Sequence, residues 1–258
     1  MPDALSGGAA GATLRVCALY PDLMNIYADR GNLLVLQQRC AWRGLGVEIA
    51  TSGLGDELDG DEHDLYYLGG GQDRDQRLCA EDLIENKREA LQRAAARGAV
   101  VLGVCGGYQL LGHSYTLGSE RIPGVGLLDV DTVREEGPRL VGNVAIELPV
   151  DALGRGPGED GVLAGFENHG GRTHLHAGQA PLGRVLKGHG NDGRSGFEGA
   201  RSGATIGTYL HGPLLPKNSW FADWLIALAL GLAVEELESL DDAFELMAHA
   251  GARRAAGV

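Results

Sequence analysis

Several features that mark common classes of protein are missing from this sequence. No apolar run approaches the roughly 18 residues that a membrane-spanning helix needs, and residues 1–13 lack the basic segment and apolar stretch of a secretory signal. Basic residues are scarce, 22 Lys and Arg against 35 Asp and Glu, so the net charge of −13 argues against nucleic-acid binding. The sequence contains no P-loop, so we expect no nucleotide site on this chain. We expect a cytoplasmic protein.

Cysteine is also scarce, and the four present are Cys17, Cys40, Cys79 and Cys105. Their spacing matches no zinc-binding pattern, so we expect reduced thiols, and buried packing as the role of the first three. Glycine, by contrast, accounts for 42 of the 258 residues, roughly double its usual share of ~7%. Because these glycines follow no Gly-X-Y period, they predict tight turns and close backbone approaches.

The first half of the chain alternates short apolar strands with helices. Strands are predicted at 14–20, 47–50, 64–68 and 99–104, and helices at 29–44, 74–97 and 108–114. Strands that are apolar throughout, each followed by a helix, predict a parallel sheet covered on both faces.

The second half has a different pattern. Strands predicted at 126–133, 141–148 and 204–210 are joined by glycine-rich loops, and helices are predicted at 217–230 and 234–250. The whole pattern predicts an α/β fold with a central, mostly parallel sheet flanked by helices and with an antiparallel extension. We predict one domain over residues 14–250, with a flexible tail at 1–13 and a short tail at 251–258.

The sharpest local feature is the segment Gly103-Val104-Cys105-Gly106-Gly107, where a buried strand ends at a cysteine and a helix begins. This pattern is typical of a nucleophile elbow, in which the side chain sits on a tight turn at the carboxyl edge of a sheet. The helix N-terminus is expected to lower the pKa of the thiol, and the N–H of Gly106 to face an oxyanion. The alternative is a structural cysteine in a strand-to-helix turn, which the combined pattern favours less.

A cysteine nucleophile needs a base, and His211 is the leading candidate. The strand at 204–210 delivers this histidine to a strand end, where Gly212 and Pro213 stop the strand. Taken alone, such a histidine is more often a surface or capping residue. Since the ends of parallel strands meet at one edge of a sheet, Cys105 and His211 are expected to lie near each other.

The loop at 69–72 (GGGQ) also follows a strand and precedes a helix. Three glycines there could hold a phosphate, but the Lys-Ser/Thr ending of a P-loop is missing. We therefore interpret the loop as a second source of oxyanion donors beside the cysteine, with Gly70 and Gly71 as the donors.

Three histidines, His169, His174 and His176, lie close together in sequence. Alternating residues on a strand face one way, so the cluster could suggest a metal site. Because no carboxylate or cysteine completes a convincing ligand set, we favour a glycine-rich binding loop and predict no metal.

These motifs together resemble the class I, triad-type glutamine amidotransferases. The matching segments are GGGQ (69–72), GVCGGYQLLG (103–112), IPGVGLLD (122–129) and GTYLHG (207–212), in the family's order and across nearly the whole chain. The TYLHG form is similar to the cobyric-acid-synthase branch. Two further segments, YPDLMNIYADRGN (20–32) and GFENHGGRTHL (165–175), resemble the glutaminase subunit of lipid II isoglutaminyl synthase. The resemblance implies a flavodoxin-like three-layer sandwich.

The resemblance also implies roles for single residues. Cys105 would attack the side-chain amide of glutamine, and His211 would transfer the protons. Gln109 matches a substrate-side glutamine, with an exposed helix residue as the alternative. Arg139 matches an arginine that holds the substrate's α-carboxylate, with a solvated loop arginine as the alternative. Many such domains carry Glu two residues after the histidine, where this chain has Pro213, so the third triad residue comes from elsewhere in the chain or from a partner, or is absent.

The implied partner is a Mur-ligase-like synthetase subunit, which forms a heterodimer with the glutaminase. ATP and Mg²⁺ are expected on that partner, and no cofactor is expected on this chain. The partner would use the ammonia to amidate the α-carboxyl of D-glutamate in the lipid II stem peptide during peptidoglycan synthesis.

Three alternatives remain open at this point. The chain could be the glutaminase part of a cobyric acid or cobyrinate diamide synthase, although those enzymes usually carry an ATP domain on the same chain. It could be a different cysteine hydrolase of the same superfamily, such as a peptidase or a glyoxalase-like protein. It could also be a non-catalytic subunit that keeps the fold, which the presence of both Cys105 and His211 argues against.

Overall fold

The computed structural model describes residues 11–26, 29–117, 119–149 and 160–258, and it has the predicted α/β architecture. The predicted tail at 1–13 lies largely outside the described residues, and the first strand begins at Thr13. Within the described part, no helix is both long enough and apolar enough to cross a membrane.

The centre of the molecule is a six-stranded sheet in the order β13-β14-β4-β3-β1-β2. Its strands are β1 (Thr13–Leu19), β2 (Gly46–Ser52), β3 (Leu65–Leu68), β4 (Val100–Val104), β13 (Ala200–Ser202) and β14 (Thr205–Thr208). All neighbours pair in parallel except the edge strand β13, which is antiparallel to β14. Every residue of β3, β4 and β14 is buried. Burial on both faces accounts for the apolar sequence of β4, and the parallel pairing of these strands confirms the prediction of a parallel sheet.

The helices lie close to their predicted positions. They are α1 (Arg30–Trp42), α2 (Asp73–Asp82), α3 (Arg88–Ala96), α4 (Gly106–Leu111), α5 (Leu214–Lys217), α6 (Ser219–Leu230) and α7 (Ala243–Ala256). The predicted helix at 74–97 is present, but Leu83–Lys87 forms a π-helical turn between α2 and α3. In this turn the buried Lys87 forms an ion pair with Asp82, an interaction that sequence periodicity does not reveal.

The antiparallel part consists of two further four-stranded sheets. One has the order β10-β7-β5-β6, and the other the order β12-β11-β8-β9. The first is formed by β5 (Ser114–Leu117), β6 (Glu120–Pro123), β7 (Val130–Arg134) and β10 (Gly171–Leu175), and the second by β8 (Leu140–Glu147), β9 (Val162–His169), β11 (Gly183–Lys187) and β12 (Phe197–Glu198). Every pair is antiparallel except β5 with β7.

Three elements differ clearly from the prediction. The helix expected at 108–114 is α4, which ends at Leu111, and Ser114 begins β5. The strand expected at 126–133 begins at Val130, because Gly126 adopts a positive φ of 71° and its N–H bonds back to the carbonyl of Gly112. The helix expected at 234–250 is a 3-10 turn at Val234–Glu236 followed by α7, which continues to Ala256. Most of the predicted tail at 251–258 is therefore helical, and Gly257 ends the helix in the left-handed conformation.

A buried ionic cluster joins α1 to the two last helices. The guanidinium of Arg39, which is only 1% exposed, hydrogen-bonds to both carboxylate oxygens of Asp223 (2.5 and 2.6 Å) and to both of Asp242 (2.9 and 2.8 Å). Arg43 binds the same oxygens of Asp223 (2.8 and 2.7 Å). The four side chains, referred to below as the Arg39 cluster, hold the helices on one side of the central sheet.

Candidate active site

Cys105 lies on a strained turn between β4 and α4. Its backbone has φ 55° and ψ −107°, and among the described residues Tyr20 is the other non-glycine with positive φ. Such a conformation is costly for a residue with a Cβ and is concentrated at functional sites. The strand–turn–helix geometry that the sequence predicts is therefore present.

The glycines around Cys105 are required by close backbone contacts. A Cβ on Gly107 would lie 2.1 Å from the carbonyl oxygen of Leu68, and a Cβ on Gly103 would lie 2.9 Å from the carbonyl of Gly107. The N–H of Gly107 also donates to the carbonyl of Gly69 (3.0 Å). The elbow is thus packed directly against the end of β3 and the glycine loop that follows it.

The environment of the thiol differs from the expectation. Cys105 is 7% exposed, and burial followed by the negative charge of Asp29 raises the pKa of the thiol to about 12. A backbone hydrogen bond from Gly106 acts in the opposite direction but is the weaker effect. The first residue of the helix thus lowers the pKa as predicted, but the expected net shift towards thiolate is wrong for the chain on its own, because desolvation is the larger effect.

The glycine loop at 69–71 lies against the elbow, as expected. A Cβ on Gly70 would be 3.3 Å from the Cβ of Cys105, and a Cβ on Gly106 would be 3.1 Å from the amide nitrogen of Gly71. The N–H of Gly70, however, donates to the Oδ2 of Asp29 (2.7 Å). Gly70 is therefore not available as an oxyanion donor in this conformation, which leaves Gly71 and Gly106 as the candidate donors.

Asp29 is a buried acidic residue beside the elbow that the sequence reasoning did not single out. It is fully buried, and burial raises the pKa of its carboxyl to about 7, while the bond from Gly70 lowers it. Nearby, Asn32 donates to the hydroxyl of Tyr67 (2.9 Å) and accepts from the N–H of Leu215 (2.8 Å). The segment at 20–32 thus holds the glycine loop on one side and the chain just after His211 on the other, which gives a structural reason for its distinctive sequence.

His211 lies at the same edge of the sheet as Cys105. β14 runs parallel to β4 with Thr208 opposite Val104, and the N–H of Cys105 donates to the carbonyl of Thr208 (2.8 Å). His211 follows three residues later, where its backbone exchanges two hydrogen bonds with Phe166 (2.9 and 3.0 Å). The two residues therefore leave neighbouring strands at their carboxyl ends.

The surroundings of His211 favour the neutral form of its imidazole. The residue is fully buried, and burial, followed by the charges of His169, Lys217 and Arg139, lowers its pKa to about 4. A neutral imidazole can accept a proton, as a general base must. Its low pKa makes it a weak base in the chain on its own.

A cleft of about 510 Å³, including its open mouth, lies beside Cys105. It brings together side chains or backbone from segments that are far apart in sequence. The predicted residues that line it are Cys105, Gly71, Gly106, Gln109 and Arg139, and further lining residues include Gln76, Thr132, Arg134 and His169.

Gln109 belongs to a chain of hydrogen-bonded side chains under the cleft. Its Oε1 accepts from the Nε2 of Gln76 (2.7 Å), and its Nε2 donates to the hydroxyl of Tyr209 (3.1 Å). That hydroxyl lies 2.7 Å from Thr173 Oγ1, which lies 2.7 Å from Thr132 Oγ1. Sequence reasoning missed Gln76, although its place in the first turns of a helix after the glycine loop was a usable signal.

Arg139 lines the cleft just before β8 begins. Its Nε donates to the side-chain oxygen of Asn168 (2.8 Å) and an Nη to the carbonyl of the same residue (2.7 Å). A guanidinium carries further N–H groups beyond these two, and they can bind a carboxylate in the cleft. Arg134 adds a second positive charge to the lining.

The glycine-rich binding loop predicted around His169, His174 and His176 is wrong, because His169 ends strand β9, His174 lies in strand β10 and His176 directly follows β10. The three histidines have three different environments. His169 is buried, stacks on Tyr209 with 3.6 Å between ring centroids, and donates from Nδ1 to the carbonyl of Gly171 (2.8 Å). His174 lies 3.7 Å from Glu135, and His176 contacts two aspartates on β7 and just before it. They do not converge on one point.

Two buried glutamates support the strands of the site. Glu198 accepts hydrogen bonds from the N–H of Tyr209 (2.6 Å) and the hydroxyl of Thr208 (3.0 Å), just before His211. Burial raises its pKa to about 8. Glu167 accepts from the N–H groups of His189 (2.6 Å) and Gly190 (2.9 Å). Both carboxylates fix backbone at the edge of the site.

Comparison with known proteins agrees with this geometry. The family of CobB/CobQ-like glutamine amidotransferase domains matches residues 15–219. The "Lipid II isoglutaminyl synthase (glutamine-hydrolyzing) subunit GatD" of Streptococcus pneumoniae (strain ATCC BAA-255 / R6) is 37% identical over 218 residues, which are 84% of this chain and 80% of that protein. The protein of the same name from Staphylococcus aureus (strain N315) is 37% identical over 231 residues, or 88% of this chain and 89% of that one.

More distant similarities point the same way. The cobyric acid synthase of Pelotomaculum thermopropionicum is 41% identical over 136 residues, but these are 48% of this chain and only 25% of that enzyme. The solved structure of PurLQS from Thermotoga maritima has the same fold, with a TM-score of 0.54 at 20% identity over 92% of this chain and 98% of that one. With a family match over most of its length and a nucleophile elbow in the matched region, the chain belongs to the CobB/CobQ-like glutamine amidotransferases.

Proposed function

We propose that the chain is the glutaminase subunit of a lipid II isoglutaminyl synthase. The two relatives that bear this name are 37% identical to it, over 80% and 89% of their own lengths. The observation that carries the chemistry is Cys105, held at φ 55° on an elbow whose cleft also contains Gln109 and Arg139. This arrangement supports attack on an amide whose other end carries a free carboxylate, as in glutamine.

In the proposed reaction the Sγ of Cys105 attacks the side-chain carbonyl carbon of glutamine, and His211 takes up the thiol proton. The N–H groups of Gly71 and Gly106 stabilise the oxyanion, and Arg139 binds the α-carboxylate. His211 returns the proton to the amine, which leaves as ammonia, and a γ-glutamyl thioester remains. A water molecule, deprotonated by His211, then hydrolyses the thioester to glutamate and restores the thiol.

The electrostatics of the isolated chain oppose the first step. Since the thiol has a pKa of about 12 and the imidazole one of about 4, both groups are neutral near pH 7. A carboxylate placed beside His211 would raise the pKa of the imidazole and favour the thiolate. Pro213 stands where many amidotransferases carry a glutamate, so we propose that the partner subunit supplies this carboxylate. On this proposal the isolated subunit is a weak glutaminase.

The chemistry of ammonia also favours a second subunit. Ammonia released into water near pH 7 is mostly protonated, and ammonium is not a nucleophile. We propose a cytoplasmic heterodimer in which a Mur-ligase-like subunit binds ATP and Mg²⁺, activates the α-carboxyl of D-glutamate in the lipid II stem peptide, and receives the ammonia directly.

A glutaminase for a cobyric acid or cobyrinate diamide synthase is the second candidate. It is favoured by 41% identity to a cobyric acid synthase over 136 residues. Against it, that match spans a quarter of the relative, whereas the lipid II relatives match over most of their length. Amidation assays with lipid II and with a corrinoid as alternative acceptors distinguish the two.

The test is glutamate release from glutamine by the chain co-purified with its synthetase subunit. We expect Cys105→Ala to lower turnover by about 10³-fold or more. Cys40→Ala, which changes a buried cysteine of α1, should keep turnover within a few-fold of the wild type. Unchanged hydrolysis by Cys105→Ala would remove the central assignment.

A further inference from the structure

A group of histidine and aspartate side chains gathers at one end of the β10-β7-β5-β6 sheet. His113 directly precedes β5, Asp129 directly precedes β7, and His176 directly follows β10. Their backbones are fixed, because the N–H of His113 donates to the carbonyl of Val130 (2.8 Å) and the N–H of His176 to the carbonyl of Asp129 (3.0 Å). The sheet therefore holds together three residues that are far apart in sequence.

Both imidazoles contact the same carboxylate oxygen of Asp129. The Nε2 of His113 lies 2.8 Å and the Nδ1 of His176 lies 2.7 Å from the Oδ1 of Asp129. One ligand atom from each residue lies within 4.8 Å of the other two. Ligands of a tetrahedral zinc ion stand about 2.0–2.2 Å from the metal, so neighbouring ligand atoms are about 3.3 Å apart. The three atoms must therefore come closer together than the 4.8 Å limit within which they all lie.

The remaining ring nitrogen of His176 has its own carboxylate. Its Nε2 lies 3.1 Å from the Oδ2 of Asp131, whose Oδ1 accepts hydrogen bonds from Ser114 and from Arg121 (3.2 Å). Histidines that bind metals almost always donate their second N–H to such a carboxylate, which fixes the tautomer and the ring orientation. The Nδ1 of His176 donates to Asp129 in the structure without metal, so a bound ion would displace that proton to solvent and take up the freed lone pair, while Nε2–H stays donated to Asp131.

We propose that His113, Asp129 and His176 bind a divalent transition-metal ion of the zinc class, with Asp131 orienting His176. Two imidazoles and one carboxylate suit zinc and its first-row neighbours, and a fourth position stays open to water. Mg²⁺ and Ca²⁺ prefer ligand sets of oxygen alone. All three ligands are exposed, so the ion enters directly from solvent.

A bound ion would clamp the starts of β5 and β7 to the end of β10. Strands β7 and β10 also carry Thr132 and Gly171, which line the cleft beside Cys105. His113 comes two residues after the end of α4, the helix that begins directly after Cys105. The ion would therefore stabilise the framework of the cleft without touching it, and this inference does not depend on the proposed function.

The test is titration calorimetry of Zn²⁺ into the full-length chain without an affinity tag, with Co²⁺ absorption spectra as a second measurement. We expect one ion per chain, a Co²⁺ spectrum of nitrogen and oxygen ligands without a thiolate charge-transfer band, and a higher unfolding temperature in Zn²⁺. His113→Ala and His176→Ala should each weaken binding by about 100-fold or more, and Asp131→Asn by about 10–100-fold.

The matched control is His174→Ala, which removes another exposed histidine of β10 that has one carboxylate nearby. It should bind Zn²⁺ as the wild type does, and circular dichroism establishes that each variant is folded. The proposal is overturned if the folded wild type binds no Zn²⁺, if His113→Ala and His176→Ala bind it unchanged, or if a thiolate band assigns the ion to a cysteine.

Discussion

The Arg39 cluster and the sheet edge at Cys105 both bury ionisable side chains, but pairing sets the pKa in the cluster and burial sets it at the sheet edge. In the cluster, burial acts to lower the pKa of Arg39, yet the hydrogen bonds that it donates to Asp223 and Asp242 keep this pKa above its usual value. At the sheet edge, burial dominates instead. It raises the pKa of the carboxyl of Asp29 to about 7 and that of the Cys105 thiol to about 12, and lowers that of His211 to about 4.

The difference separates a structural site from a chemical one. Charged groups that are paired by hydrogen bonds, as in the Arg39 cluster, remain charged and hold helices together. Groups whose pKa values are shifted strongly by burial are instead concentrated at functional sites. The comparison predicts that changes at the sheet edge mainly affect turnover and that changes in the cluster mainly affect stability.

The largest effect on turnover, apart from loss of the thiol, is expected from His211→Ala. Removal of the base should lower glutamate release by the assembled complex by about 10²–10⁴-fold. The measurement is steady-state kinetics of the complex, and His174→Ala, an exposed histidine of β10, is the control. Turnover near the wild-type value in His211→Ala would mean that another group moves the protons.

The opposite pattern is expected for Asp223→Ala in the Arg39 cluster. It leaves two buried guanidinium groups without their shared carboxylate, so the free energy of unfolding should fall by about 3–5 kcal/mol. Urea denaturation measures this change. Glu81→Ala, which breaks the exposed pair with Arg77, should cost less than about 1 kcal/mol. An equal loss of unfolding free energy in both variants would contradict a structural role for the Arg39 cluster.

A smaller effect is expected from Gln76→Ala. Its amide holds the Oε1 of Gln109 (2.7 Å), so its loss should misplace a residue of the cleft and raise the KM for glutamine about 5–10-fold, the equivalent of about one hydrogen bond. The value of kcat should change much less. Gln38→Ala, on the exposed face of α1, is the control. A fall in kcat without a change in KM would assign Gln76 a different role.

The smallest effect concerns the charge of Asp29 in the isolated subunit. After burial, this charge is the next cause of the raised pKa of Cys105, so Asp29→Asn should lower that pKa. Alkylation of Cys105 by iodoacetamide near pH 8 should then be several-fold faster, because more thiolate is present. Asp22→Asn, an exposed change in the same segment, is the control. In the wild type the rate should still rise with pH above 9; a plateau below pH 9 would contradict the raised pKa.

The parts of the structure that could be predicted from sequence are the local ones. The elbow at Cys105 could be predicted from a short segment, in which an apolar strand ends at a cysteine flanked by glycines. The structure has this turn. The apolar sequence of β4 likewise predicts its burial in a parallel sheet. To predict that His211 lies at the same edge as Cys105, one further rule was needed: the carboxyl ends of parallel strands lie at the same edge of a sheet.

What could not be predicted depends on contacts between distant segments. Gly70 was expected to be an oxyanion donor, but its N–H is bound by Asp29, which lies 41 residues away. The raised pKa of Cys105 arises from burial in the finished fold, which a helix-terminus argument cannot include. The sequence groups His176 with its neighbours His169 and His174, whereas the folded sheet places it beside His113.

The most direct test of Cys105 as the nucleophile is covalent labelling of the assembled complex with the glutamine analogue diazo-oxo-norleucine, followed by peptide mass spectrometry. The account predicts a single adduct on Cys105, prevented by excess glutamine and formed more slowly in the isolated subunit. A complex that hydrolyses glutamine but carries the label on Cys17, Cys40 or Cys79, or carries no label at all, would contradict it.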